Sequence, residues 1–446
     1  MSPDALSSRR RLLLGSLAGA TAGWLASRLP AEDRPAITRP RATSGDTVSE
    51  PDWNERLTIT VGPQDADLVG TTDKVLQAAV DYVARLGGGT VKILPGTYRL
   101  RNSVFLASKV RLLGSGSDSI LIKEPSEVAK LAEDSDWFDQ EITLEGGGGF
   151  RVGDGICLRT KKPDGGGRDV LKRTLVAKDG NRFKLDRALR ENFWLMGGAT
   201  CASLFPILSG ENIADLAIEN LALDGNKERN ENLDGNYAGC IFLQDCSRVA
   251  IRGVEARNYN GDGVSWQVCH DVTVENCHSH DHAGLGLHPG SGSQRPTIKS
   301  NRLERNDIGL FFCWGVKYGL AQGNQISDNR SYGVSIGHRD TENLIVDNDV
   351  VRSGKVGVLF RPERGKDFAP HRNRVERNRI VDSGPESGTA VDVQGETQEV
   401  AIVGNDIRES RGAAQRIGIR LGKSTKQIKV EENRFAGLMK EVEDLR

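Results

Sequence analysis

The chain has 446 residues, 37% of them hydrophobic and 52 of them glycine, with a formal net charge of −1. Near-neutral charge and the lack of an aromatic-interleaved basic module argue against nucleic acid as a partner, and the length suits one extended domain better than three compact ones. Seven cysteines cannot all pair within one chain.

Residues 1–29 open with Ser8-Arg9-Arg10-Arg11-Leu12-Leu13, then an apolar stretch reaching Leu25 and small residues. This resembles a twin-arginine export signal, the alternatives being an ordinary secretory signal or an uncleaved anchor. Each implies a mature chain outside the cytoplasm, periplasmic or extracellular. Residues 30–56, rich in Pro, Arg, Ser and Thr, read as a linker. Beyond the signal no segment is long and apolar enough to predict a membrane span.

Residues 57–123 read as a cap and first coil. Val75, Ala79, Val80 and Val83 make one helical face, the glycines at 87–89 end the helix, and the next residues alternate as a strand. Residues 124–205 carry strand-like stretches joined by Gly-rich turns and read as an inserted β subdomain.

From 206 to 435 the chain keeps a beat. An apolar residue, an Asn and another apolar residue two places on recur in VENCHS around Asn276, KSNRLE around Asn301, QGNQIS around Asn324, VDNDVV around Asn348, ERNRIV around Asn378, VGNDIR around Asn405 and EENRFA around Asn433. The steps are 25, 23, 24, 30, 27 and 28 residues. Such a period marks a solenoid whose units cannot bury a core alone, and the pairwise apolar alternation is that of strands. Asn tolerates a left-handed turn, and stacked amides about 4.8 Å apart can hydrogen-bond along the stack. The predicted fold is all-β: a right-handed parallel β-helix with an N-terminal capping helix, closed by a tail or cap over 436–446.

The run LQAAVDYVARLGGGTVKILPGTY, the phrase NLALDGN at 220–226 and the coils together resemble the pectate-lyase-like superfamily, over most of residues 58–435. The resemblance implies a β-helix associated with carbohydrates. No cofactor is evident, although calcium, which often assists lyases of this kind, fits the resemblance. The superfamily's polygalacturonase-type hydrolases carry an N-T-D, D-D, G-H-G, R-I-K series that is not reproduced here, NGDGV at 260–264 being only a fragment.

A second motif, Gly followed by apolar, any, apolar, starts at Gly263, Gly284, Gly309, Gly333, Gly357 and Gly418. Aligned on these glycines, Leu285 and Leu287 face inward like Val264 and Trp266, and Gln267, His288, Cys313, Gly337 and Arg361 form one outward line. The turns beyond bring Trp314, Lys317, Tyr318, His338, Arg339, Asp340, Glu363 and Arg364 to the same edge, with Asp262 nearby. Residues 295–380 hold 16 Lys or Arg against 10 Asp or Glu, a surplus suited to an acidic polysaccharide.

Two chemistries fit. In a lyase, His288 or His338, or less favourably Lys317, takes the proton beside a uronate carboxylate while Arg361 clamps that carboxylate. In a hydrolase, Asp340 and Glu363, one coil apart, supply paired carboxylates. Asp262, Gln267, Trp314, Tyr318, Arg339 and Arg364 are then substrate-binding candidates, and a non-catalytic binding solenoid is the third reading. The histidines at 270, 278, 280, 282 and 288 show no paired zinc spacing, and alternate residues are read as pointing different ways, so no metal site is expected. Cys246 and Cys269 fall at equivalent places in adjacent coils.

Overall fold

The computed structural model describes residues 52–446 other than Pro163. The predicted export signal and most of the predicted linker lie outside the described residues. Within the stretch read as linker, Trp53 is buried against Ala217 and Ala250.

The body is a parallel β-helix. Each coil contributes one strand, such as Val264–Gln267, to an eleven-stranded sheet, and two, such as His270–Glu275 and His278–His280, to a twenty-two-stranded sheet. Every strand pairs in parallel with its counterpart one coil on, so side chains stack in columns. Ile251, Val274, Ile298, Ala321, Ile345, Val375 and Ile402 form one inward column, fully buried in the main core. A parallel ladder buried on its inner face explains why each coil needs its apolar pair.

The helix Asp73–Arg85 buries Leu76, Ala79, Val80 and Val83 over the first coils, covering an end that would otherwise invite edge pairing. At the other end Lys440–Asp444 pairs with Ile417–Leu421 and adds a last strand. Between them, residues 128–202 build a separate six-stranded antiparallel sheet with its own core around Phe150, Leu158, Leu175 and Phe183. It docks through Arg101, whose guanidinium grips Asp154 at 2.7 Å, and through Lys172, whose Nζ lies 3.8 Å from the centre of the Phe242 ring.

The asparagines stack as a ladder, but from Asn301 rather than Asn276. The backbone N–H of Asn301, Asn324, Asn348, Asn378 and Asn405 each donates to the Oδ1 of the next, at 2.9–3.0 Å. Each Nδ2 donates to that same oxygen and to a carbonyl of the preceding coil, as Asn348 does to Ala321 at 2.9 Å. In the 276 coil the ladder place is taken by Cys277, whose N–H donates to Asn301. The left-handed residue is the one before the ladder: Asn276, Ser300, Gly323, Asp347, Arg377, Gly404 and Glu432 all have φ between 51° and 67°. The two properties that the sequence attached to one Asn therefore belong to neighbouring residues. Shorter amide stacks run at other corners, through Asn306 and Asn329 and through Asn343 and Asn373.

Cys246 and Cys269 are neighbours, with the Cys246 N–H 3.4 Å from the Cys269 sulfur, and all seven cysteines are free thiols. Among the described residues no helix is long and apolar enough to cross a membrane.

Removing a buried ladder amide strands backbone groups on both sides. Asn348→Ala should lower stability by about 2 kcal/mol or more, whereas Asn276→Gly, at an exposed left-handed site, should leave the melting midpoint nearly unchanged. Thermal melts of the two variants check this, and equal losses would contradict the ladder's role.

Candidate active site

The outer face of the eleven-stranded sheet carries most of the predicted site residues, and strand register decides which of them meet. Val264 pairs with Leu287 and Ser265 with His288, so the repeat glycine of that coil is Gly286, not Gly284. A Cβ on Gly286 would strike the Gly309 carbonyl of the next coil at 2.6 Å, whereas Gly284 sits against the Asp262 carboxylate. Leu287 and Pro289 consequently occupy the inward places, and His288 moves one pleat back. The outward rows are Ser265, His288, Phe311 and Ser335 and, beside it, Gln267, Gly290 and Cys313, with Gly337 and Arg361 beyond.

His288 and Asp262 form a buried pair, each 3% exposed. Asp262 Oδ2 lies 2.8 Å from His288 Nδ1, while its Oδ1 accepts the Leu285 N–H at 2.9 Å. With both carboxylate oxygens accepting, Nδ1 carries a proton, and in the neutral ring Nε2 carries a lone pair. That Nε2 is buried without a hydrogen-bond partner. The loop at 230–238 lies over the pair: Gly235 packs against the Asp262 carboxylate, and its carbonyl accepts the Ser265 hydroxyl at 2.6 Å. Gln267 donates to that same hydroxyl oxygen at 3.0 Å.

Arg361 reaches this group by folding back across Gly337, where any Cβ would come within 2.1 Å of its Nη2. Its guanidinium stacks on Phe311, 4.4 Å from the ring centre, and donates to Ser335 Oγ and the Phe312 carbonyl, both at 2.8 Å. His288 meets the same Phe311 ring edge-on, at 5.3 Å between centres. An imidazole and a guanidinium thus flank one aromatic ring.

The remaining predicted residues spread along the rim. His338 stacks on Trp314 at 4.8 Å and against Phe368 at 5.0 Å, with its Nδ1 3.4 Å from Glu363. Glu363 also stands 3.6 Å from Arg361. Arg339 and Arg364 both lie over Phe368, a residue that sequence reasoning passed over. Lys317 and Tyr318 are further along, where the chain enters the next sheet and Lys317 pairs with Gln294 and Thr341. The arginine surplus of 295–380 is spent mainly elsewhere: Arg295, Arg305, Arg352 and Arg377 grip Asp271, Asp281, Asp328 and Asp347 at exposed corners.

Asp340 is fully buried and accepts the N–H groups of Gly315, Val316 and Gly337 at 2.8–3.0 Å, 3.5 Å from Arg361. It shapes the turn under Arg361. Calcium takes six to eight oxygen ligands, and the three carboxylates here, Asp262, Asp340 and Glu363, are each committed to nitrogen groups of the protein. The residues present do not fit that ion.

The right-handed beta helix region family model matches residues 219–365. No curated protein matches the chain. Among solved structures, the A-module of mannuronan C-5 epimerase AlgE4 from Azotobacter vinelandii is similar at 16% identity and a TM-score of 0.53, over 86% of this chain and 97% of that one. The corresponding AlgE6 module, also from Azotobacter vinelandii, matches at 15% identity and 0.53, over 83% and 91%. A glycoside hydrolase matches at 11% identity and 0.51, over 84% and 96%. These likenesses show the fold: the chain is a right-handed parallel β-helix.

Burial pushes the Asp340 carboxyl up to about 6, against the pull of Arg361 and the three amides. The folded state therefore holds this proton more tightly than the unfolded chain, where an aspartate titrates near about 3.9. The resulting stabilisation is present at low pH and is lost as pH rises through about 6. The melting midpoint of the parent protein minus that of Asp340→Asn should fall between about pH 4 and about pH 7; a rising difference would contradict the assignment.

Proposed function

We propose that the chain is an exported enzyme that acts on a uronate-containing polysaccharide by taking the proton beside the sugar carboxylate, most simply as a lyase. The observation that carries this is the His288–Asp262 pair: a base fixed in one tautomer, with an unpartnered Nε2, next to the Arg361 guanidinium across Phe311. Export rests on the Arg9-Arg10-Arg11 segment before its apolar run.

His288 Nε2 accepts the carbon-bound proton, and the electron pair moves into the carboxylate, whose growing charge Arg361 stabilises at close range. Elimination then breaks the glycosidic bond on the adjacent carbon, and the departing oxygen takes the proton held by the His288 imidazolium, directly or through water. Reprotonation of the same intermediate on its other face would instead give an epimer with the chain uncut. Two of the structures similar in fold are epimerases of mannuronan, a polyuronate by name. Because Nε2 is buried, the groups that cover it must move for it to meet a sugar.

Hydrolysis by paired carboxylates has less support. Asp340 is sealed beneath the surface by three backbone N–H groups, and Glu363 stands between His338 and Arg361. Trp314, 58% exposed at the rim, offers a face on which a sugar ring can stack.

A panel of polyuronates and neutral polysaccharides, followed by ultraviolet absorbance of unsaturated ends, by new reducing ends and by sugar stereochemistry, tests the reading. Unsaturated ends, or inverted uronates, are expected from a polyuronate only. His288→Gln, which removes the imidazole, should lose about 100-fold or more in rate, as should Gly337→Ala through displacement of Arg361, with melting little changed. Reducing ends without unsaturation would reject elimination.

A further inference from the structure

On the other face of the coils, the strand His278–His280 lies between Glu255–Arg257 and Arg302–Glu304. Because residues two apart on a strand share a side, His278 and His280 both point outward, with their rings stacked at 3.9 Å. The expectation that alternate residues point different ways fails for this pair, while His282 is fully buried and accepts the Tyr259 N–H. We propose that Glu255, His278 and His280 form a zinc site that staples consecutive coils.

The donor geometry carries the inference. Glu255, His278 and His280 each offer a ligand atom, all within 4.8 Å of one another. His280 Nδ1 lies 2.6 Å from Asp281 Oδ2, which fixes its proton there. Its Nε2, a lone pair in that tautomer, faces Glu255 Oε1 at 3.2 Å. Two acceptors do not stand so close without a cation or an extra proton between them. Zinc bonds of about 2.0–2.1 Å in a tetrahedron put neighbouring ligands about 3.3 Å apart, close to the separation of Glu255 Oε1 and His280 Nε2; His278, stacked on His280 with planes 23° apart, turns its ring to join the same ion.

The surroundings fit the same reading. Glu255 Oε2 is held by Arg257 at 2.9 Å, which leaves Oε1 as a single donor. Glu304 Oε1 lies 3.0 Å from His278 Nε2 and orients that ring, as outer carboxylates do for zinc-bound imidazoles. Arg302 and Arg305 in turn hold Glu304, at 2.8 and 2.7 Å, and Arg305 holds Asp281 at 2.8 Å. Imidazole with carboxylate is a borderline donor set that favours zinc over calcium or magnesium. A bound ion would also let both stacked rings stay neutral.

The test uses the mature full chain carrying no histidine tag, stripped with chelator and titrated with zinc by calorimetry, alongside thermal melts. One zinc per chain is expected, with a rise in melting midpoint that chelator reverses. His280→Ala and the near-isosteric Glu255→Gln should each weaken zinc binding at least about tenfold, while His371→Ala leaves it unchanged. Absence of binding and of any midpoint shift in the parent protein, as a proton-bridged pair would give, overturns the proposal. So does an affinity equal to the parent's in both site variants.

Discussion

The stacking of one coil on the next is the constraint on which the rest depends. Parallel pairing sets neighbouring coils about 4.8 Å apart, and the buried amides from Asn301 to Asn433 lock that stacking by tying each coil to the one after it. The fixed register then extends to every other column, including the outward one. His288, Phe311 and Ser335 are neighbours because Leu287, Leu310 and Val334 are neighbours in the core. A slip of one residue would turn the inward column outward.

The candidate site departs from this regularity where function would ask for it. Polar groups on an outward sheet face are normally solvated, yet Asp262, His288 and Asp340 are almost wholly enclosed. Both carboxylates have donors on each oxygen, whereas His288 Nε2, like the neighbouring Gln267 Oε1, is buried without a partner. Gly337 contributes by its lack of a side chain: it opens the space through which Arg361 crosses back over a strand to reach Phe311. A base and a cation from residues 73 positions apart thereby meet on one ring.

Much of the fold was legible in the sequence, because apolar pairs, turn residues and buried amides leave a periodic mark. The phase was harder. Gly284 and Gly286 stand two apart in GLGL, and only the contact of Gly286 with the next coil marks it as the repeat glycine; the other glycine makes room for Asp262. Asn276 matched the motif by composition, while Cys277 holds the ladder position. Phe368, against which His338, Arg339 and Arg364 gather, and the loop at 230–238 follow no period, so nothing in the repeat could place them. The arginine surplus could not locate the site, because a charge count does not tell a groove from a corner.

The central claim is that His288 removes a proton from the carbon beside a uronate carboxylate. Incubation of the protein with a polyuronate in heavy water, read by nuclear magnetic resonance of the sugar, addresses it directly. Epimerisation would install deuterium at that carbon, elimination would replace its proton with a double bond, and both would vanish in His288→Gln. Chain cleavage that leaves every such proton in place would contradict the account.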